Sequence, residues 1–139
     1  MLVLDTNVIS EAFRPEPDAR VKAWLEAQPP ASVFTTAISQ AEILCGIALL
    51  PKGRRQAALL TAAVMMFEED FRGRVLPFDS EAATIYAALA SVRRQGGLPI
   101  AFADAQIAAV TQSRGGRLAT RNVRDFADCG IDIVNPWDA

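Results

Sequence analysis

Histidine is absent from the 139 residues, and lysine occurs only at Lys22 and Lys52. Without an imidazole there is no Ser-His-Asp or Cys-His catalytic unit, no His-ligated zinc and no His general base. Cysteine occurs twice, at Cys45 and Cys129, with no CxxC spacing. Two buried thiols in a reducing compartment, the cytoplasm, are therefore expected rather than a disulfide framework. The longest apolar stretch, Ala57 to Phe67, is interrupted by Thr61 and falls short of the ~18 residues a membrane span requires. Asp5 breaks the apolar opening after four residues, and no basic segment precedes it, so the start does not read as a signal peptide. A formal net charge of −2 gives no general basic excess that would advertise nucleic-acid binding.

What is present is ordinary globular material, 51% hydrophobic and 22% charged, in an amount suited to one domain over residues 1–139. Met1 to Leu4 reads as a buried strand, and Asp5-Thr6-Asn7 as the cap of a helix that Pro15 and Pro17 end. Asp18 starts a second helix with Val21, Trp24 and Leu25 on one face, closed by Pro29-Pro30. Val33 to Thr35 is a second strand. A helix over Ser39 to Leu50 follows, turned by Pro51-Lys52-Gly53 into another that reaches about Phe67. Val75 to Phe78 is a third strand, and Asp79 caps a helix from Ser80 to Gln95 with Ile85, Tyr86, Leu89 and Val92 inward. After a Gly96-Gly97 and Pro99 loop come a helix over Ala103 to Ser113, a strand over Arg117 to Ala119, and a fifth strand over Ile131 to Val134. Strands alternating with helices predict an α/β fold, a short and mostly parallel sheet of four to five strands with helices on both faces.

Ligands of open parallel sheets sit beyond the carboxyl ends of the strands. Four segments put polar or acidic residues there. Asp5 follows the first strand, Glu42 follows the second, Asp104 opens a late helix, and Asn122 and Asp125 follow the fourth strand. Each has a purely structural explanation. Asp5 can cap a helix, Ser39-Gln40-Ala41-Glu42 matches a capping box, Asp104 can complement a helix dipole, and Asp125 can cap a turn. Acids that only cap would be scattered over both ends of the sheet, whereas these map to one. Such a cluster repels itself unless a cation neutralises it. Oxygen ligands without His or Cys suit Mg²⁺ or Mn²⁺, and the chemistry indicated is hydrolysis of a phosphate ester or diester by activated water. Arg114, Arg117, Arg121 and Arg124 cluster around the fourth strand and are candidates to hold phosphates.

In sequence order, Leu4-Asp5-Thr6-Asn7-Val8-Ile9, Ala41-Glu42, Ala103-Asp104-Ala105-Gln106-Ile107-Ala108 and Leu118-Ala119-Thr120-Arg121-Asn122 with Asp125-Phe126 resemble the PIN domain. More closely they resemble the VapC toxins of bacterial type II toxin–antitoxin systems. Val134-Asn135-Pro136-Trp137 and Pro77-Phe78-Asp79 are similar to the FitB-like branch. The resemblance implies a Mg²⁺-dependent endoribonuclease, with Mn²⁺ as a possible substitute, leaving a 5′-phosphate and a 3′-hydroxyl. By the same resemblance Asp5 and Asp104 hold the metal, and Glu42 completes the acidic pocket. A fourth polar position orients water, and both Asn122 and Asp125 qualify for it. FitB-like members tend to carry an acid at the position of Asn122, and many VapC members carry Asn there and an acid three residues on. Thr6 and Thr120 are family-like hydroxyls beside the pocket, and Asn135-Pro136-Trp137 reads as an anchor packed on the core. The implied partners are RNA, an antitoxin with a DNA-binding N-terminus, and a second copy of the chain. The negative charge of the cluster itself predicts that a silencing partner inserts an arginine, or less often a lysine, among Asp5, Glu42 and Asp104. A homodimer, or a heterotetramer or larger assembly with antitoxin, is expected, and no membrane. A non-catalytic module that assembles the antitoxin and a small Mg²⁺-dependent phosphatase are the competing readings.

Overall fold

The computed structural model describes residues 1–139. Five strands, β1 (Leu2–Leu4), β2 (Val33–Thr36), β3 (Val75–Leu76), β4 (Arg117–Ala119) and β5 (Asp132–Val134), form one sheet in the order β3-β2-β1-β4-β5. Every pairing is parallel, with Leu2 opposite both Val33 and Arg117. All three side chains of β1 are buried because the strand is central and covered on both faces. Alternation along it divides the interior. Leu2 and Leu4 join Val8, Ile9, Val21, Ile43 and Phe67 in one apolar cluster. Val3 joins Leu89, Ile107, Val110, Leu118 and Phe126 in another, across the sheet.

The first cluster is roofed by α1 (Thr6–Ala12), α2 (Ala19–Glu26), α3 (Ala37–Ala48) and α4 (Arg54–Met65), whose end widens into a π-helical turn at Met66–Asp70. The second is roofed by α5 (Ser80–Gln95) and α6 (Phe102–Ser113). From β1 the chain winds outward to β2 and β3, then returns to β4 and β5. The strand order therefore reverses between β1 and β4, which is where open α/β sheets leave a crevice. Gly115, at φ +64°, makes the left-handed turn that brings the chain from α6 into β4.

Several sequence expectations are corrected. α3 begins at Ala37, because Thr36 at the end of β2 is its N-cap and accepts the Ser39 amide on Oγ1 at 3.1 Å. Ser39-x-x-Glu42 is thus not the capping box. α3 ends at Ala48, where the Gln56 side-chain amide lies 3.1–3.2 Å from the carbonyls of Ile47, Ala48 and Leu50. Cys129 is buried but Cys45 is exposed; two positions past the inward Ile43, it falls on the far side of the helix. Val92 is 65% exposed, because α5 packs chiefly on α6 and the seam between two helices is narrower than a sheet-facing stripe. Trp137 packs into the first cluster, as an anchor should. No helix is long and apolar enough to cross a membrane.

Candidate active site

Asp5 sits where β1 ends, at the reversal of strand order, and is 3% exposed. Its backbone amide continues the sheet by donating to the Ala119 carbonyl at 2.9 Å. Both side-chain oxygens are engaged. Oδ1 accepts the Thr6 amide at 2.8 Å, capping α1, and Oδ2 accepts the Thr120 hydroxyl at 2.7 Å. Capping is therefore real, yet each oxygen keeps a lone pair for a ligand. Burial, together with the charges of Glu42 and Asp125, outweighs those two hydrogen bonds and raises the Asp5 pKa above its ordinary 3.8.

Glu42 reaches the same cleft from the second turn of α3, where Oε1 accepts from Thr6 Oγ1 at 2.7 Å. That hydroxyl also lies 2.9 Å from Ser39 Oγ, so the end of β1 and the start of α3 share one polar joint. Asp104 lies in the first turn of α6, whose N-cap is Ala101 without a side-chain bond. Its carboxylate caps no amide. Burial first, then the charges of Asp5, Asp125 and Glu42, push its pKa up to about 6. Four acids from four separate segments thus feel one another.

The two candidates for the fourth position occupy different places. Asn122 lines the cleft, and its backbone amide donates to Thr120 Oγ1 at 3.0 Å. Asp125 stands on the 3-10 turn Val123–Phe126, outside the cleft wall but near enough to raise both Asp5 and Asp104. Arg93 fixes that turn from α5, its Nη1 donating to the carbonyls of Asp125 (3.2 Å) and Ala127 (2.6 Å).

The open cleft holds about 500 Å³. Of the four arginines expected around β4 only Arg121 lines it. Arg117 begins β4 at the opposite end of the sheet, Arg114 pairs with Asp79 at 3.4 Å, and Arg124 stays on the exposed turn. Four further residues contribute that were not among the expected site residues. Asn7 ties the start of α1 to the segment that follows β4, its Nδ2 donating to Thr120 Oγ1 (3.4 Å) and its Oδ1 accepting the Arg121 amide (3.3 Å). Arg14, Glu11 and Trp137 line the wall. The Asp-Thr-Asn run was the available signal for Asn7, the Asn135-Pro136-Trp137 segment pointed only to an anchor, and no local pattern marks Glu11 or Arg14.

No three acidic or thiol side chains stand close enough to wrap an ion unaided. An octahedral Mg²⁺ that keeps most of its waters asks for less, one or two carboxylates. Asp5 and Asp104, both raised chiefly by burial and then by neighbouring carboxylates, and both all-oxygen donors, fit that demand.

A second groove of about 400 Å³ shares Thr6, Ser10, Arg14 and Glu42 with the cleft and continues it between α1, α3 and α4. Its floor is apolar, with Phe13, Ile43, Ile47 and Leu59.

The sequence profile described as the PIN domain matches residues 2–131. Over 138 residues the chain is 41% identical to the VapC ribonuclease Y4jK of Sinorhizobium fredii, covering 99% of both. Over 137 residues it is 40% identical to the toxin FitB of Neisseria gonorrhoeae, again covering 99% of both. Among solved structures it superposes at a TM-score of 0.93 and 40% identity on a chain of FitAB bound to the IR36 DNA fragment, covering 99% of this chain and 96% of that one.

Proposed function

Since the chain belongs to the PIN domain family, in its VapC and FitB toxin–antitoxin group, we propose that it is a metal-dependent endoribonuclease and the toxin of such a pair. The observation that carries this reading is the convergence of Asp5, Glu42 and Asp104 on one cleft at the sheet's switch point, where burial and like charges raise the Asp104 carboxyl. Such an arrangement costs stability and is retained where a cation and a substrate use it.

Asp5 and Asp104 would hold the ion, Mg²⁺ or Mn²⁺, and Glu42 completes the acidic wall. Bound there, the ion supplies Lewis-acid polarisation of a phosphoryl oxygen and activation of water. The protein's own part is orientation. Thr120 fixes Asp5 through Oδ2, Thr6 fixes Glu42 through Oε1, and Asn7 holds Thr120 in register. Asn122 or Asp125 orients the water. A phosphorus–oxygen bond to that water forms as the bond to the 3′-oxygen breaks. The water gives up a proton as it attacks and the 3′-oxygen takes one up as it leaves, giving a 5′-phosphate and a 3′-hydroxyl.

The partner that silences this chemistry is an antitoxin with a DNA-binding N-terminus. Its natural bed is the apolar groove between α1, α3 and α4, from which an arginine can reach Asp5, Glu42 and Asp104 in fork geometry. The chain acts in the cytoplasm as a homodimer, joined by antitoxin into a heterotetramer or larger assembly.

The test is cleavage of a panel of labelled RNAs by purified protein with Mg²⁺, with Mn²⁺ and in chelator. Cleavage should require the ion and vanish in Asp104→Asn. Asp125→Asn should cost more activity than Asn122→Ala, because only Asp125 brings charge. Full activity in chelator overturns the metal role, and an inert wild type with every RNA favours a module that only assembles antitoxin. If Asn122→Ala proves the more damaging change, Asn122 is the residue that orients the water.

A further inference from the structure

We propose that Arg14 and Arg121 are a pair of phosphate-positioning residues that receive the RNA backbone on either side of the bond to be cut; this rests on the ribonuclease reading above. Four carboxylates repel phosphates, and positive groups in the wall favour the entry of an RNA strand beyond what the ion offsets. Arg14 and Arg121 are the basic residues that line the cleft. They reach it from different segments. Arg121 follows β4, and Arg14 follows α1, where the cleft passes into the groove beside α3.

Each guanidinium is anchored through one part and free through the rest. Arg121 lies 5.0 Å over the ring of Trp137, which the core holds at 6% exposure. That contact engages the π face of the ring and uses none of the guanidinium N–H groups, the part that matches a phosphate. The Arg121 amide is fixed as well, by Asn7. Arg14 is tethered by Nη1, 3.3 Å from Glu11 Oε2, and its side chain is 66% exposed while that of Glu11 is 6% exposed. Nε and Nη2 of Arg14 take no part in the pair. A carboxylate buried in the wall of an already acidic cleft is costly. Holding Arg14 over the cleft accounts for its presence. Anchored guanidinia lose little freedom on binding, which is what a positioning pair requires.

The test measures binding apart from cleavage. A fluorescein-labelled single-stranded 12-nucleotide RNA is titrated with the full chain in chelator, by anisotropy, over a series of salt concentrations. Arg14→Gln and Arg121→Gln should each weaken binding about tenfold, and each should flatten the plot of log affinity against log salt by ~0.7, the slope of one phosphate contact on single-stranded nucleic acid. In Mg²⁺ the same variants should raise KM more than they lower kcat. Glu11→Gln separates anchoring from overall charge. It removes a negative charge from the wall, so long-range attraction alone predicts tighter binding, whereas loss of the tether predicts weaker binding. Arg121→Lys guards against a folding defect: it keeps the charge, so the salt slope should stay while affinity falls. Unchanged slopes in both Gln variants of a protein whose wild type binds RNA overturn the pair and leave the nuclease reading standing. A wild type that neither binds nor cleaves RNA removes both.

Discussion

Asp5 and Asp104 are both acids of the cleft, yet they are bound into the protein in opposite ways, and substitution separates them. Asp5 Oδ1 caps α1 and Oδ2 receives the Thr120 hydroxyl. In Asp5→Asn one oxygen becomes an NH₂ group. Thr120 Oγ1 already accepts from Asn7 and Asn122, so the new donor finds no free acceptor there. The variant should lose about 1–2 kcal/mol of stability along with its RNA cleavage. Asp104 forms no such bonds and is held among like charges. Asp104→Asn should therefore raise the melting temperature in chelator while abolishing cleavage. Thermal melts of the two variants beside wild type check the opposite signs, and a lowered melting temperature for Asp104→Asn contradicts this account. The acids themselves were legible in the sequence, because each follows a strand or opens a helix within a few residues. Their supports were not. The partner of Asn7 lies 113 residues away, that of Thr6 on α3 lies 36 away, and nothing near Arg14 announces a cleft.

Among the elements, α3 shows how a local pattern can be outcompeted. Ser39-x-x-Glu42 has the form of a capping box, but β2 ends in Thr36, whose hydroxyl takes the Ser39 amide first. Starting the helix at Ala37 turns Ser39 inward to Thr6 and leaves Glu42 free for the cleft. Thr36→Ala should cost about 1–2 kcal/mol in urea unfolding, and Ser39→Ala should cost less. The reverse order would restore Ser39 as the cap. α5, by contrast, matches its sequence expectation end to end, since Asp79 caps it and two glycines stop it. Helices with strong signals at both ends were readable. β3 shrank to two residues because an edge strand is set by its single neighbour rather than by its own apolar run. Strand order was out of reach, since pairing of β1 with β4 joins residues more than a hundred positions apart.

For the whole molecule, the acidic cleft makes stability depend on pH in a direction opposite to that of most carboxylates. The Asp104 carboxyl keeps its proton to about pH 6 in the folded protein, against an ordinary 3.8, and Asp5 is shifted the same way. Between those values the folded state binds more protons than the unfolded chain, so stability falls as pH rises and stays reduced above about 6. A divalent ion reverses this, since it binds the ionised form. The gain in melting temperature on adding Mg²⁺ should be small at pH 5 and larger at pH 7.5, and an equal gain at both would separate the ion from these carboxyls. The bond from Thr120 to Asp5 has a further consequence, for timing. It spans 115 residues, and at about 10 residues per second a ribosome needs about ten seconds to travel from one to the other. Throughout that interval β1 waits with one edge unpaired, and Asp5 stands without Thr120, Arg121 or Asn122. A half-made chain therefore carries none of the assembled cleft, and any hazard the finished protein poses to RNA begins only after its own message has been almost completely read.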